Sequence, residues 1–308
     1  MMSLDKITES LLKTIADFTG DFKGAFSIRS NGQCSAIRST ANIRMEKKKD
    51  APGLEVHIKP GTKGETVYIP ACVTKGGIDD LVYNDFFVGE GADVVIVAGC
   101  GVHNEDESEA RHSGVHRFFL GKDSHVLYQE KHIGTGQDSG NRRIDPVTDA
   151  VLEEGATLEM DTVQLGGVHS TVRNTTATLA ARAKLLVRER LLTDGDDVAE
   201  SSFVVNVNGE DAGVDLISRS VAKGHSRQSF HSNIRGRCRC TGHSECDAIL
   251  ADEGVVIATP ALEASHVDAA LIHEAAIGKI AGEQLLKLCT LGLTPEEAEQ
   301  RIIQGFLK

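Results

Sequence analysis

The segment Gly236-Arg-Cys238-Arg-Cys240-Thr-Gly-His243-Ser-Glu-Cys246-Asp and the pair His273-Glu274 gather thiol, imidazole and carboxylate groups within about forty residues. Thiolate and imidazole donors select soft or borderline metals over hard, oxygen-seeking ions, so these residue types point to a transition metal or an iron–sulfur cluster. By spacing alone, Cys238, Cys240, His243 and Cys246 offer four ligands for a tetrahedral zinc, although thiols one residue apart diverge less conveniently than in a Cys-x2-Cys knuckle. The three cysteines share strand parity, and Thr241-Gly242 is expected to interrupt the alternation. His273-Glu274 is expected where the last strand meets the first C-terminal helix, and such a pair alone more often marks a solvated helix start than a ligand set. A third group runs from Cys100 and His103 through Glu109 to His112, with His116 beyond. It is rich in donors, yet its charged run reads as a solvated loop without a diagnostic ligand spacing. Cys34, Cys72 and Cys289 read as small buried apolar residues.

Several chemistries are disfavoured. There is no Gly-x4-Gly-Lys-Ser/Thr phosphate loop and no Gly-x-Ser-x-Gly elbow, so neither ATP hydrolysis nor serine acylation is expected of this chain. A formal charge of −12 without a basic stripe argues against nucleic acid. Apolar runs such as 94–101 are too short to span a bilayer, so no membrane segment is expected. Seven cysteines, an odd and unevenly spaced set without a secretory leader pattern, point to a reducing cytoplasm. A carbohydrate-active enzyme is unattractive, because the chain has no Trp and three Tyr to build sugar platforms.

The elements that would position these groups follow from periodicity. Leu4, Ile7, Leu11, Leu12, Ile15 and Phe18 recur at helical spacing over residues 4–18. From about residue 22 to 270 the texture becomes short β-rich runs punctuated by glycine. Glu90-Gly-Ala-Asp-Val-Val, Glu154-Gly-Ala-Thr-Leu and Glu253-Gly-Val-Val-Ile form a weak repeat of turn then strand. Units that stack on neighbours to bury a face suggest a β-solenoid, with a β-sandwich as the alternative; consecutive small aliphatics and only 4% aromatic residues favour the solenoid. Beyond residue 275, Ile277, Ile280, Leu285, Leu286 and Leu288 predict a helix stopped by Gly292. Thr294-Pro295-Glu296-Glu297 is a capping box opening a second helix, whose stripe ends at Phe306. These two helices either present a docking surface or cap the solenoid's end.

At this point the chain resembles the SufB/SufD scaffold proteins of the SUF iron–sulfur cluster assembly system. The resemblance rests on Ser218–Phe230, Glu245-Cys246-Asp247, Pro260-Ala-Leu-Glu263, His273–Ile280, Glu283-Gln284-Leu, Gly292–Ala298 and Gly305-Phe306, with Gly99-Cys100 similar to the Gly-Cys turn that starts the family core. It is firm over 216–306, looser over 80–215 and poor before that. It implies a right-handed parallel β-helix (SufBD core) flanked by an N-terminal helix and C-terminal helices. The expected organisation is an N-terminal helix with a β-rich lead-in over 1–79, the β-helix core over 80–272, and a helical segment over 273–308. The resemblance implies a scaffold, not an enzyme, carrying a transient iron–sulfur cluster on Cys246, His273 and Glu274. A SufC-type ABC ATPase would hydrolyse ATP and dock on Glu283, Gln284, Leu291, Thr294, Pro295 and Phe306. SufD-like relatives lack the Cys and Glu, so the chain resembles a SufB-type or generalist subunit, in a homodimer or a SufB/SufD-like heterodimer, served by a sulfur donor and cluster acceptors. A flavin is compatible with the resemblance and not readable from the residues. The chain departs from SufB proteins in its short N-terminal part, in lacking a counterpart to their sulfur-accepting cysteine, and in Ile272, where many carry glutamate. Cys238 and Cys240, with His243 and Cys100, are the supplementary ligand candidates, and a zinc-stabilised platform is the alternative reading.

Overall fold

In the computed structural model, which describes residues 5–137 and 140–308, the glycine-punctuated apolar runs become strands that return coil after coil to the same two sheets. Helix α1 (Lys6–Ala16) opens the chain, with the Asp5 side chain accepting from the Thr8 amide at 2.9 Å as its N-cap. A lead-in follows: β1 (Ala25–Ser30), β2 (Gln33–Arg38), β3 (Ile43–Lys47), β4 (Gly53–Ile58), β5 (Lys63–Tyr68) and β6 (Ala71–Val73). The longer strands are β7 (Asp79–Val88), β8 (Asp93–Asn104), β9 (Ala110–Leu120), β10 (His125–Gly136), β11 (Arg142–Ile144), β12 (Val147–Leu152), β13 (Thr157–Leu165) and β14 (Ser170–Leu179). They continue as β15 (Lys184–Thr193), β16 (Val198–Val207), β17 (Ala212–Ala222), β18 (Arg227–Gly236), β19 (Cys240–Leu250), β20 (Val255–Ala264) and β21 (Ala269–Lys279). Helices α2 (Gly282–Thr290) and α3 (Pro295–Phe306) close the chain.

The first sheet runs β2-β1-β5-β8-β10-β13-β15-β17-β19-β21, with β6 beside β1 and β8. The second runs β20-β18-β16-β14-β11-β9-β7-β4-β3, with β12 beside β9 and β14. Successive strands thus alternate between two walls, and every pairing is parallel except the β1–β2 and β3–β4 hairpins. The result is a parallel β-solenoid, as expected, rather than a sandwich. The lead-in belongs to the same two sheets rather than to a separate unit.

Corners explain the weak repeat. Gly91 (φ 62°) and Gly155 (φ 71°) take the left-handed conformation before β8 and β13, where a side chain is disfavoured. At the third copy Asp252 (φ 53°) takes that role one residue earlier than the glycine does elsewhere.

Inside, alternation sends every second residue into the lumen, and the parallel register stacks like on like. Val94, Val126, Leu158, Leu185 and Val214 lie one above another along five consecutive coils of the first sheet. Phe86 stacks on Phe118 at 4.7 Å, and Tyr128 meets Phe118 edge-on at 5.1 Å. Outside, Gly99 and Gly101 of β8 admit α1: a Cβ at Gly99 would lie 2.5 Å from the Ile15 carbonyl oxygen. Gly99-Cys100 is therefore the interior of a strand and not a turn, with the glycines facing α1 and Cys100 facing the lumen.

The C-terminal boundary also differs from expectation. Residues 275–279 spell helical spacing, yet they extend β21, because β21 stays in register with β19 from Cys240↔Ala269 to Leu250↔Lys279. The helix begins only at Gly282. The capping box holds, with Thr294 accepting from the Glu297 amide and Glu297 from the Thr294 amide. Helix α3 lays Ile303, and Leu307 just past its end, on Val221, with Phe306 half-buried beside them.

Phe118→Ala should destabilise the solenoid by about 3–5 kcal/mol, the usual cost of emptying a buried aromatic site. Urea unfolding followed by circular dichroism measures it, and a loss below about 1 kcal/mol would contradict the stacked-lumen packing.

Candidate functional site

Cys246 sits one coil from the end of the solenoid. Along β19 the alternation is unbroken, so Thr241-Gly242 interrupts nothing: Cys240, Gly242, Ser244, Cys246 and Ala248 are buried, with less buried residues between them. The next strand, β21, is the last in its sheet, and its register pairs Ser244 with His273, Glu245 with Glu274 and Cys246 with Ala275. His273 thus shares the lumen-facing parity of Cys246, displaced one strand up and two residues back, a Cα separation of about 8 Å from standard sheet spacings. Both Cys246 and Ser244 are buried, whereas His273 is exposed because no further coil covers it. It stands at the open mouth of the lumen.

Glu274 faces the other way. Adjacent strand residues point to opposite sides, so Glu274 lies on the outer wall with Glu245. Glu245 in turn has its carboxyl pushed up by burial and by Asp247. The pair is mid-strand and not a helix start. Within one copy the structure brings Cys246 and His273 to a common face and does not bring Glu274 there.

The zinc set does not form. His243 points outward, its Nδ1 2.9 Å from Asp215 Oδ1, while Cys246 points inward. Cys240 is six residues, about 20 Å, along the strand from Cys246, with Cys238 beside it. Burial and the neighbouring Cys240 push the Cys238 thiol up, and its Sγ lies 3.7 Å from the Val207 carbonyl. Neither thiol can supplement Cys246. Among the described residues, the three-donor set that closes to within 4.8 Å is Glu46, Glu55 and His57, on the outer face of β3 and β4.

What lies beneath Cys246 was not anticipated. In strict register below it stand Ser218, Glu189, Thr162 and Glu130, one per coil. All four are buried, forming a polar ladder up the first sheet. Arg173 of the opposite wall ties it together, with Nη2 2.6 Å from Glu130 Oε2 and Nε 3.5 Å from Glu189 Oε1. Ser201 and Ser218 donate to Glu189 at 2.6 and 2.8 Å, and Tyr128 donates to Glu130 at 2.8 Å. Burial pushes Glu130 up, but Arg173 and His132 outweigh it and hold the carboxyl well below the usual range. Higher up, Ser232 and Ser244 bond across the lumen at 2.8 Å, just under His273. The sequence signal was there: Glu189 has the parity of Leu185, Val187 and Leu191, and Glu130 that of Val126 and Tyr128, so each is a charge on an inward face.

Electrostatics set the state of the thiol. Burial, followed by Glu189 and Asp247, pushes Cys246 up to about 12. No positive neighbour activates it, contrary to what a reactive cysteine would need. At neutral pH it is a protonated thiol at the top of a hydrogen-bonding column.

Residues 84–306 match the family model described as "SUF system FeS cluster assembly, SufBD core domain". The chain is similar to an "Iron-sulfur cluster assembly SufBD family protein" of Methanothermobacter thermautotrophicus, 30% identical over 260 residues that cover 83% of this chain and 62% of that protein. A protein of the same description from Archaeoglobus fulgidus is 29% identical over 267 residues, 86% of this chain and 70% of the relative. One from Methanocaldococcus jannaschii is 24% identical over 237 residues, 76% and 74% respectively. The chain therefore spans less than two thirds of the length of the Methanothermobacter relative.

Thiol labelling tests the site's electrostatics. A rise from about 9 to about 12 lowers the thiolate fraction of Cys246 at pH 8 by roughly a thousandfold. Pulsed iodoacetamide with peptide mass spectrometry should find Cys246 alkylated orders of magnitude more slowly in the folded protein than in urea; equal rates would refute the assignment.

Proposed function

The chain belongs to the SufBD family of the SUF iron–sulfur cluster assembly system, and from that premise we propose that it is a cytoplasmic scaffold on which iron and sulfide are built into a nascent cluster. The observation that carries this reading is the polar ladder that ends at Cys246, one coil below an open mouth guarded by His273. Cys246 supplies a thiolate to iron or holds sulfane sulfur, and His273 supplies a neutral imidazole. Because no cationic side chain lowers the thiol, the arriving metal has to displace its proton, which couples loading to pH. Glu274 faces outward and acts from the wall, in a site shared with a second scaffold copy. The family's sulfur donor and cluster acceptors complete the cycle.

The open end supports dimerisation there. Strands β20 and β21 each leave one edge without a strand partner, and Ile257, Ile272 and Ile277 are exposed on them. Unpaired edges with apolar side chains call for cover, and a second copy or a SufD-like subunit provides it. Anaerobic reconstitution with ferrous iron and sulfide should show Cys246→Ser and His273→Ala each losing most of the bound iron, with Glu274→Gln losing less. Undiminished uptake by both of the first two variants would sink the proposal.

For the ATPase, helix α2 is the favoured dock. It buries no residue and exposes Leu286, with Leu291 just past its end, while α3 fixes it to the wall through Ile303. Leu286→Asp with Leu291→Asp should abolish co-purification with a SufC-type ATPase without shifting thermal unfolding. A complex that survives this double change would place the dock elsewhere.

A further inference from the structure

At the opposite end of the lumen, about four coils from Cys246, lies a cavity of about 50 Å3, room for one ion and a water. Its wall includes Cys100, His112, Gly114, His116, Glu130 and His132. The donor-rich stretch that looked like a solvated loop is in fact divided. Residues 105–109 turn outside, and His112 and His116 return on β9 as buried inward side chains.

Their hydrogen bonds fix which nitrogen of each ring faces the cavity as an acceptor. Tyr128 donates its hydroxyl proton to Glu130, so at 2.7 Å it accepts from His116 Nδ1–H, leaving a lone pair on Nε2. Asn84 Nδ2 donates to that lone pair at 3.3 Å, a long hydrogen bond that an arriving metal would replace. His112 Nδ1 lies 3.0 Å from the carboxylate of Asp80, itself held by Arg29, so in the neutral ring Nε2 is the atom left without a proton. Carboxylate or hydroxyl behind an imidazole, lone pair in front, is the arrangement that orients histidines toward metals. Both lone pairs converge on a glycine: a Cβ at Gly114 would sit 3.0 Å from His116 Nε2 and 3.6 Å from His112 Nε2. Cys100 comes from the other wall, beside its register partner His132, whose Nδ1 is buried without a hydrogen-bond partner. Asn84 Oδ1 and Ser113 Oγ are buried and unpaired nearby.

We propose that this cavity is a second, internal metal site, binding one first-row divalent transition cation through His112 Nε2, His116 Nε2 and the sulfur of Cys100. Two imidazoles with a thiolate select a borderline cation such as ferrous iron, cobalt or zinc over magnesium or calcium. Closing on the ion draws the three donors inward across the cavity, and the Cys100 proton leaves as the metal binds. The site stands independently of cluster assembly at Cys246.

Cobalt(II) is the probe, titrated anaerobically into the full chain carrying Cys246→Ser and His273→Ala to remove the terminal donors. About one equivalent should bind, with ligand-field bands of a low-coordinate site and a thiolate-to-cobalt charge-transfer band. Gly114→Ala, which fills the space between the two lone pairs, and His112→Gln should each weaken binding at least about tenfold. Cys100→Ser should abolish the charge-transfer band while the ligand-field bands persist, and it carries the test if Gly114→Ala fails to fold. His57→Ala, which dismantles the exposed Glu46–Glu55–His57 set, should change nothing. Absence of cobalt binding in the double-variant background, its loss with His57→Ala, or indifference to His112→Gln would each overturn the assignment.

Discussion

Parallel, in-register stacking governs this molecule more than any single contact. Each inward residue sits directly above its equivalent in the previous coil, so the lumen consists of columns rather than a mixed core. An aliphatic column such as Val94 to Val214 is self-consistent and supplies the burial that holds the coils together. A charged column is not, because desolvating a carboxylate costs several kcal/mol unless a partner meets it. Glu130 and Glu189 survive at the centre because Arg173 reaches both from the opposite wall, because Ser201 and Ser218 donate to Glu189, and because Tyr128 donates to Glu130. Replacing such a network by apolar residues is often neutral or stabilising, so stability gives little reason to keep it. Its position beneath Cys246 links it to the proposed cluster site.

The same stacking explains why the proposed cluster ligands gather at the end. Interior coils cover one another, so a residue at the parity of His273 would be sealed anywhere else in the tower. On the last strand it is exposed. One coil down, Cys246 keeps the burial that leaves it a thiol, protected from adventitious oxidation, which requires the thiolate. Exposure and protection are thus separated by a single strand spacing, about 4.8 Å.

Much of the architecture could be read from residue patterns: the glycine-marked corners, the small aliphatics of the stacked strands, the N-terminal helix and the capping box at Thr294. Two features could not. The segment 275–279 carries apolar residues at both helical and strand spacing, and only the pairing with β19, a contact between residues 29 apart, decides in favour of strand. His112 and His116 sit next to a charged loop, and nothing local says that the chain turns back inward after Glu109. The site was legible in part. The shared parity of Cys240 and Cys246 was legible, but the interruption expected at Thr241-Gly242 hid their inward direction; the choice of His273 and Glu274 rested on resemblance, and alternation itself sends those two to opposite faces. The polar ladder was legible in principle as charges on inward positions, but its continuity depends on a coil length that varies from one turn to the next.

That opposition carries the last step. A ligand set drawn from Cys246, His273 and Glu274 of one copy would require adjacent residues of a paired strand to point the same way, which breaks the β19–β21 ladder at its middle. A second copy seated over the mouth removes the conflict, because one copy can present the lumen side of its last strand while the other presents its outer wall. On the proposed site, assembly would then be a condition of ligation and not merely of stability. On the proposed shared site, any force that shifts two solenoids against each other, including nucleotide-driven motion of a protein docked on α2, would change the ligand geometry directly. The unpaired edge of β21 and the outward face of Glu274 are, on this view, parts of one device for making a cluster site that exists only while two scaffolds are held together.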